Sequence, residues 1–80
     1  MIETDPDMRA VEATLFASDQ PMTVEQIRGY VGDSVDVSAA LTQLAAHYQG
    51  RGIEIVQRGK AWHFQTAPDL AHLLRREREE

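Results

Sequence analysis

The chain has 80 residues, which is enough for one small domain with a thin core. Hydrophobic residues make up 42% of it, too many for a disordered segment. No apolar run approaches the roughly 20 residues that cross a bilayer. Because the chain has no cysteine, it has no disulfide, no thiol nucleophile and no cysteine zinc site. We expect a soluble protein of the cytoplasm.

The net charge of −5 is unevenly distributed along the chain. Residues 1–49 hold two basic and eight acidic side chains, whereas residues 50–80 hold six basic and five acidic ones. A protein that binds nucleic acid usually presents a basic stripe to the phosphates, because each contact releases condensed counterions. The first half of this chain would repel a polyanion.

The first predicted helix begins at Asp5 and Pro6, which suit its N-cap and its first helical position. Residues 18–21 end it, since they combine small, polar and proline residues. The apolar side chains that recur along it at helical spacing are Met8, Val11, Leu15 and Phe16.

Two further helices follow in the first half of the chain. Thr23 and Gln26 form a capping box for the second helix, and Gly32 is its natural end. Either Ser34 or Asp36 caps the third helix, which carries a continuous apolar stripe.

After Gly52 the hydrophobic period changes from about 3.6 residues to 2, which is typical of strands. The two alternating runs, residues 53–57 and 61–66, are joined by a glycine-containing turn and predict a β-hairpin. Residues 66–69 resemble another capping box and start a last helix. Its charged end, residues 75–80, is expected to be a solvated helix terminus.

This order of elements predicts a winged helix-turn-helix domain of the α+β class, mostly α with a small antiparallel hairpin. It comprises three helices, a β-hairpin wing and a C-terminal helix, and residues 1–80 form a single domain. Because a lone hairpin is barely stable in water, its apolar face must pack on the helices. The predicted core consists of Val11, Leu15, Ile27, Leu41, Leu44, Tyr48, Ile53, Ile55, Trp62 and Phe64.

No group of residues in the sequence suggests catalysis. The histidines, His47, His63 and His72, are separated by 16 and 9 residues and fit no metal-binding pair on a helix. Glycine-rich phosphate loops and serine-nucleophile motifs are missing as well. We therefore predict a protein that is not an enzyme, with no cofactor, no metal and no small-molecule substrate.

The third helix of a winged helix-turn-helix can enter the major groove of DNA, where Arg, Lys, Asn or Gln contact base edges. Here its outward positions include neither Arg nor Lys, so we do not expect specific DNA binding. The wing holds Arg51, Arg58 and Lys60 against one carboxylate, so weak contact with the DNA backbone stays open there. The outward residues of the helix are Ser38, Ala39, Thr42, Gln43, Ala46, His47 and Gln49.

Three segments resemble the family of segregation and condensation protein B, ScpB. Residues 11–23, VEATLFASDQPMT, are similar to the family's opening pattern, in which Leu-Phe and small residues precede Pro and a hydroxyl residue. Residues 48–56, YQGRGIEIV, and residues 62–66, WHFQT, resemble its Arg-Gly-Ile segment and its aromatic strand. Thr14 and Met22 stand where the family usually has Leu. The resemblance covers residues 9–75, nearly the whole chain.

The resemblance implies a non-enzymatic subunit of the bacterial SMC–kleisin condensin, which acts in chromosome condensation and segregation. It implies a homodimer, the kleisin ScpA as partner, contact with SMC through ScpA, and a cytoplasmic location at the nucleoid through the complex. Family members continue into a second winged-helix domain. We therefore expect an N-terminal fragment of a two-domain protein, with this domain serving homodimerisation and protein interaction. The alternative is the DNA-binding domain of a transcription regulator.

The first helix carries more apolar surface than one face requires. We expect Val11 and Leu15 to face inward and the remaining side, with the loop at residues 19–22, to form a self-complementary patch. The predicted interface residues are Met8, Ala13, Phe16 and Met22, of which Met8 and Met22 are expected to be exposed. The alternative, in which a thin core takes up all these side chains, stays open.

Overall fold

The computed structural model describes residues 5–76, with side-chain burial given for residues 5–74. The elements in chain order are α1 (Pro6–Ala17), β1 (Met22–Thr23), α2 (Val24–Val31), α3 (Val37–His47), β2 (Ile53–Arg58), β3 (Ala61–Thr66), a 3-10 turn (Pro68–Leu70) and α4 (Ala71–Arg76). Three helices followed by a hairpin confirm the winged helix-turn-helix fold of the α+β class. The charged terminus, residues 77–80, lies outside the described residues.

The first three helices begin at the predicted side-chain caps. The Asp5 carboxylate accepts a hydrogen bond from the second helical amide of α1 at 3.0 Å. At α2 the capping box is complete, because the Thr23 amide donates to Gln26 Oε1 at 2.9 Å and the Gln26 amide donates to Thr23 Oγ1 at 3.1 Å. Of the two caps predicted for α3, Asp36 is the one used. Gly32 ends α2 with φ of 104°, a conformation that favours glycine.

The sheet has one strand more than the hairpin predicted from the sequence. β2 and β3 pair antiparallel, with Ile53 opposite Thr66, as expected for the wing. The two-residue strand β1 pairs with the other edge of β3, with Met22 opposite Trp62, and the strand order is β1-β3-β2. Two residues are too few to show a strand period, so the sequence pattern could not predict β1. Through β1 the start of α2 is joined to the wing.

The core lies between α1, α2, α3 and the inner face of the sheet. Ile53, expected in the core, is 38% exposed, because it is the first residue of the edge strand β2, whereas Ile55 further along the strand is buried. The other predicted core residues are buried or pack half-buried against the core: Val11, Leu15, Ile27, Leu41, Leu44, Ile55, Tyr48, Trp62 and Phe64. The core also takes in Met8, Met22, Val35, Val37 and Ala40.

The capping box predicted before the last helix does not form. Thr66 is the last residue of β3, and Ala67 takes the cap position of the 3-10 turn without a side-chain hydrogen bond. Pro68 opens this turn, because proline fixes φ near the helical value and favours an extended residue before it. Leu73 and Leu74 on α4 are each 49% exposed.

Candidate interaction surface

One side of α1 belongs to the core, and it includes two residues that were expected to be exposed. Met8, Val11 and Leu15 lie within about 60° of one another around a helix of 3.6 residues per turn, and all three are buried. The expectation of an exposed Met8 was therefore wrong. Met22 is buried as well, because it begins β1 opposite Trp62 instead of lying in a loop.

The other side of α1 carries the remaining two predicted interface residues in exposed positions. Ala13 is exposed, and the Phe16 side chain is 74% exposed, so the core does not take it up. Arg9, also exposed, lies on the same side one turn before Ala13. Arg9, Ala13 and Phe16 thus form one stripe of spacing i, i+4, i+7, here called the α1 stripe.

Aromatic rings from two other elements lie beside the α1 stripe. The Phe64 ring on β3 meets Phe16 edge to face, with ring centroids 6.2 Å apart, and meets Tyr48 at 5.3 Å. The Arg51 guanidinium lies over the Tyr48 ring, 5.6 Å from its centroid. Stripe and rings border a shallow depression of about 290 Å³, which is lined by Arg9, Glu12, Ala13, Phe16, Tyr48 and Phe64.

A hydrogen bond between side chains joins the C-cap residue of α3 to α1 in the lining of this depression. The Tyr48 hydroxyl donates to a carboxylate oxygen of Glu12. This bond, together with burial and the negative charge of Glu12, raises the pKa of Tyr48, while Arg51 acts in the opposite direction. Sequence reasoning missed the pair because the two residues are 36 positions apart. Both side chains line the depression, so the bond holds two of its lining residues together.

A second exposed aromatic ring lies on α2. Tyr30 is 77% exposed, and sequence reasoning did not single it out, although it is off the apolar face of its helix. A depression of about 340 Å³ separates it from α1, and among the described residues Asp19 is the one charged residue that lines it. The lining consists of Thr14, Ala17, Ser18, Asp19, Met22 and Tyr30.

The three basic residues predicted to contact the DNA backbone are exposed but lie apart. Arg51 precedes β2, whereas Arg58 and Lys60 lie at the far end of that strand. Arg51 and Arg58 are seven positions apart along a mostly extended segment, a distance of about 20 Å. Within residues 5–74, the outward positions of α3 are exposed as expected and carry neither Arg nor Lys. The basic side chains of the wing therefore form no continuous stripe with α3.

The described residues contain neither a membrane-spanning helix nor a metal-binding cluster. From residue 5 to residue 76, no helix is long and apolar enough to span a membrane. In the same range, no three His, Cys, Asp or Glu side chains lie together in a group able to hold a metal ion.

The chain is similar along most of its length to known sequences. The family model described as Segregation and condensation complex subunit ScpB matches residues 9–80. Segregation and condensation protein B of Desulforamulus reducens is 36% identical over 75 residues, which covers 90% of this chain. The chain spans 41% of the length of that curated relative.

Solved structures agree in fold. The crystal structure of ScpB from Mycobacterium tuberculosis matches with a TM-score of 0.80 at 23% identity, over 95% of this chain and 51% of that one. The crystal structure of a dimer of the ScpB N-terminal domain complexed with ScpA peptide matches with a TM-score of 0.76 at 26% identity, over 90% of this chain and 94% of that one. With the family match over residues 9–80, this chain belongs to the ScpB family.

Proposed function

We propose that this chain is a non-enzymatic subunit of the bacterial SMC–kleisin condensin and acts in chromosome condensation and segregation. Its partners are a second copy of itself and the kleisin ScpA, and through ScpA the SMC protein. The observation that carries the proposal is the match to a relative's N-terminal domain that forms a dimer complexed with ScpA peptide, over 94% of that domain's chain. This role places the protein in the cytoplasm, at the nucleoid.

Two exposed aromatic side chains suit a subunit with two partners. Exposed aromatic rings are typical anchors of protein interfaces, because they bury a large area at a small entropic cost. Phe16 on α1 and Tyr30 on α2 are 74% and 77% exposed, and each lines a different depression. In our proposal the Phe16 surface serves self-association, and the Tyr30 surface serves ScpA.

The acidic lining beside Tyr30 suggests what part of ScpA it receives. Asp19 is the charged group of that depression, and residues 1–49 carry eight acidic against two basic side chains. An apolar segment flanked by Lys or Arg complements such a surface, since opposite charges guide encounter and orientation.

The test compares Tyr30→Glu with Phe16→Glu in binding to purified ScpA and in sedimentation. We expect Tyr30→Glu to weaken ScpA binding by about tenfold or more and to leave the mass of a dimer. Phe16→Glu should lower the mass instead. If the parent protein fails to bind ScpA in titration calorimetry, the proposed function is wrong.

Binding to duplex DNA tests the alternative function, that of a DNA-binding domain of a transcription regulator. The outward side of α3 has neither Arg nor Lys, so we expect no specific binding at physiological salt. Nanomolar binding whose affinity falls steeply with salt would favour the transcription-regulator alternative and contradict the condensin role.

A further inference from the structure

We propose that two copies of this chain pair through antiparallel α1 helices that cross at Ala13, with Arg9 of each copy over the Phe16 ring of the other. This pairing rests on the proposed self-association and specifies its surface and register. The α1 stripe of one copy thus contacts the α1 stripe of the other.

The spacing of the stripe determines the register. Arg9 lies four positions before Ala13, and Phe16 lies three positions after it. A two-fold axis beside Ala13 matches positions that are nearly equally far from it on either side, so Arg9 meets Phe16 twice. A parallel pair would instead place Arg9 opposite Arg9, which is unfavourable for like charges.

The side chain at the crossing point allows the helices to approach. The distance between packed helices depends on the side chains at their contact. Ala13 is exposed and ends in a methyl group, and Ala17, one turn further, is also small and exposed. The two backbones can therefore come close enough for the long Arg9 side chain to reach the neighbouring helix.

The proposed contact between a guanidinium and an aromatic ring has a counterpart within the chain. Arg51 lies over the Tyr48 ring at 5.6 Å, a distance at which a guanidinium is attracted to an aromatic face. Phe16 has its neighbour Phe64 at a T-shaped angle of 83°, which leaves most of the Phe16 ring open, with 74% of the side chain exposed.

The negative charge of the neighbouring copy also favours Arg9 over the Phe16 ring. Glu12 precedes Phe16 by one helical turn, so a guanidinium over the Phe16 ring lies near the Glu12 carboxylate. Each copy carries a net charge of −5, and two copies repel each other. Arg9 places a positive charge against the acidic neighbour twice, which offsets part of that repulsion.

The test is a double-mutant cycle on the dissociation constant of the dimer, measured by analytical ultracentrifugation. Arg9→Ala and Phe16→Leu should each raise that constant by about tenfold. The double variant should raise it by about the same factor and not by their product, because both changes remove one contact. Tyr30→Glu, at an equally exposed aromatic residue, is the control and should leave the constant unchanged.

The outcomes separate the pairing from the proposed function. Arg9 and Phe16 are exposed, so circular dichroism should show the parent's fold and melting for each variant. A monomeric parent would overturn both self-association and the pairing. A dimeric parent whose single effects multiply, or are absent, would overturn the pairing alone, and ScpA binding by the parent would still support the subunit role.

Discussion

Leu15 and Phe16 are neighbours in the sequence but differ sharply in solvent exposure. Leu15 is 3% exposed and Phe16 is 74% exposed, because successive residues of a helix point about 100° apart. The two sides of α1 therefore have different tasks, one stabilising the fold and the other available for a partner. Hydrophobicity alone does not distinguish them, since both sides carry large apolar residues. Position around the helix does.

The largest difference in stability between the two sides of α1 should appear when aspartate is introduced at Val11 or at Ala13, two positions apart. Val11 is fully buried, and Val11→Asp places a carboxylate in the core at a cost of several kcal/mol. Since small domains are stable by only about 5–15 kcal/mol, we expect no cooperative melting transition. Ala13→Asp, on the exposed side, should melt near the parent and weaken the dimer. Thermal unfolding followed by circular dichroism measures both, and a Val11→Asp protein that melts like the parent would refute the assigned faces.

A second pair of variants separates stability from association by truncation. Leu15→Ala should lower the free energy of unfolding by about 2–5 kcal/mol, because it removes buried methyl groups and leaves a cavity. Phe16→Ala should lower it by about 1 kcal/mol or less, since most of the ring is in water. Below its melting temperature Leu15→Ala should still dimerise, whereas Phe16→Ala should not. Urea unfolding and sedimentation give the two quantities, and the reverse pattern would exchange the roles of the faces.

A smaller effect is expected at the α2 cap, away from the α1 stripe. Thr23→Ala removes one of the two reciprocal hydrogen bonds of the capping box and should cost about 1 kcal/mol. The dimer constant should not change. Ser34→Ala is the matched control, because Ser34 is an exposed hydroxyl that was a possible cap and is not the one used. Equal urea midpoints for the two variants would mean that the capping box contributes nothing.

The smallest expected effect appears only at high pH. The folded protein holds the Tyr48 proton more tightly than the unfolded chain, in which the pKa of tyrosine is 10.0. The stabilisation from this linkage is complete below that pH and is lost as the pH rises through it towards the raised pKa. Tyr48→Phe should therefore lose less melting temperature than the parent between pH of about 9 and about 11. Tyr30→Phe should lose as much as the parent, and identical curves for all three proteins would exclude the effect.

Elements with a local signal were predictable from the sequence. The caps at Asp5 and Thr23 and the turn at Gly59 depend on residues within three positions of each other, so their hydrogen bonds and dihedral angles follow from the local pattern. β1 is two residues long and exists only because β3 is beside it. The exposure of Ile53 likewise depends on how the first residue of the edge strand β2 lies relative to the core. These features follow from tertiary pairing, which a single sequence does not encode locally.

The same distinction between local and tertiary features applies to the candidate interaction surface. Helical spacing already places Met8 with Val11 and Leu15, so its burial could have been deduced from angles alone. The Phe16–Phe64 contact and the Tyr48–Glu12 bond could not, because they depend on how α1 packs against α3 and the sheet.

The pairing of β1 with β3 has a consequence for the order of folding. Met22 and Trp62 are 40 positions apart, and closing a loop of that length costs more chain entropy than forming the local hairpin. We infer that the hairpin and the helices form the folding nucleus and that β1 adds to the sheet after the rate-limiting barrier. Met22→Ala should then speed unfolding and leave the folding rate nearly unchanged, a low φ-value visible in the two arms of a chevron plot. A slower folding arm would place β1 in the nucleus, and the short strand would then govern how quickly the domain reaches its native state.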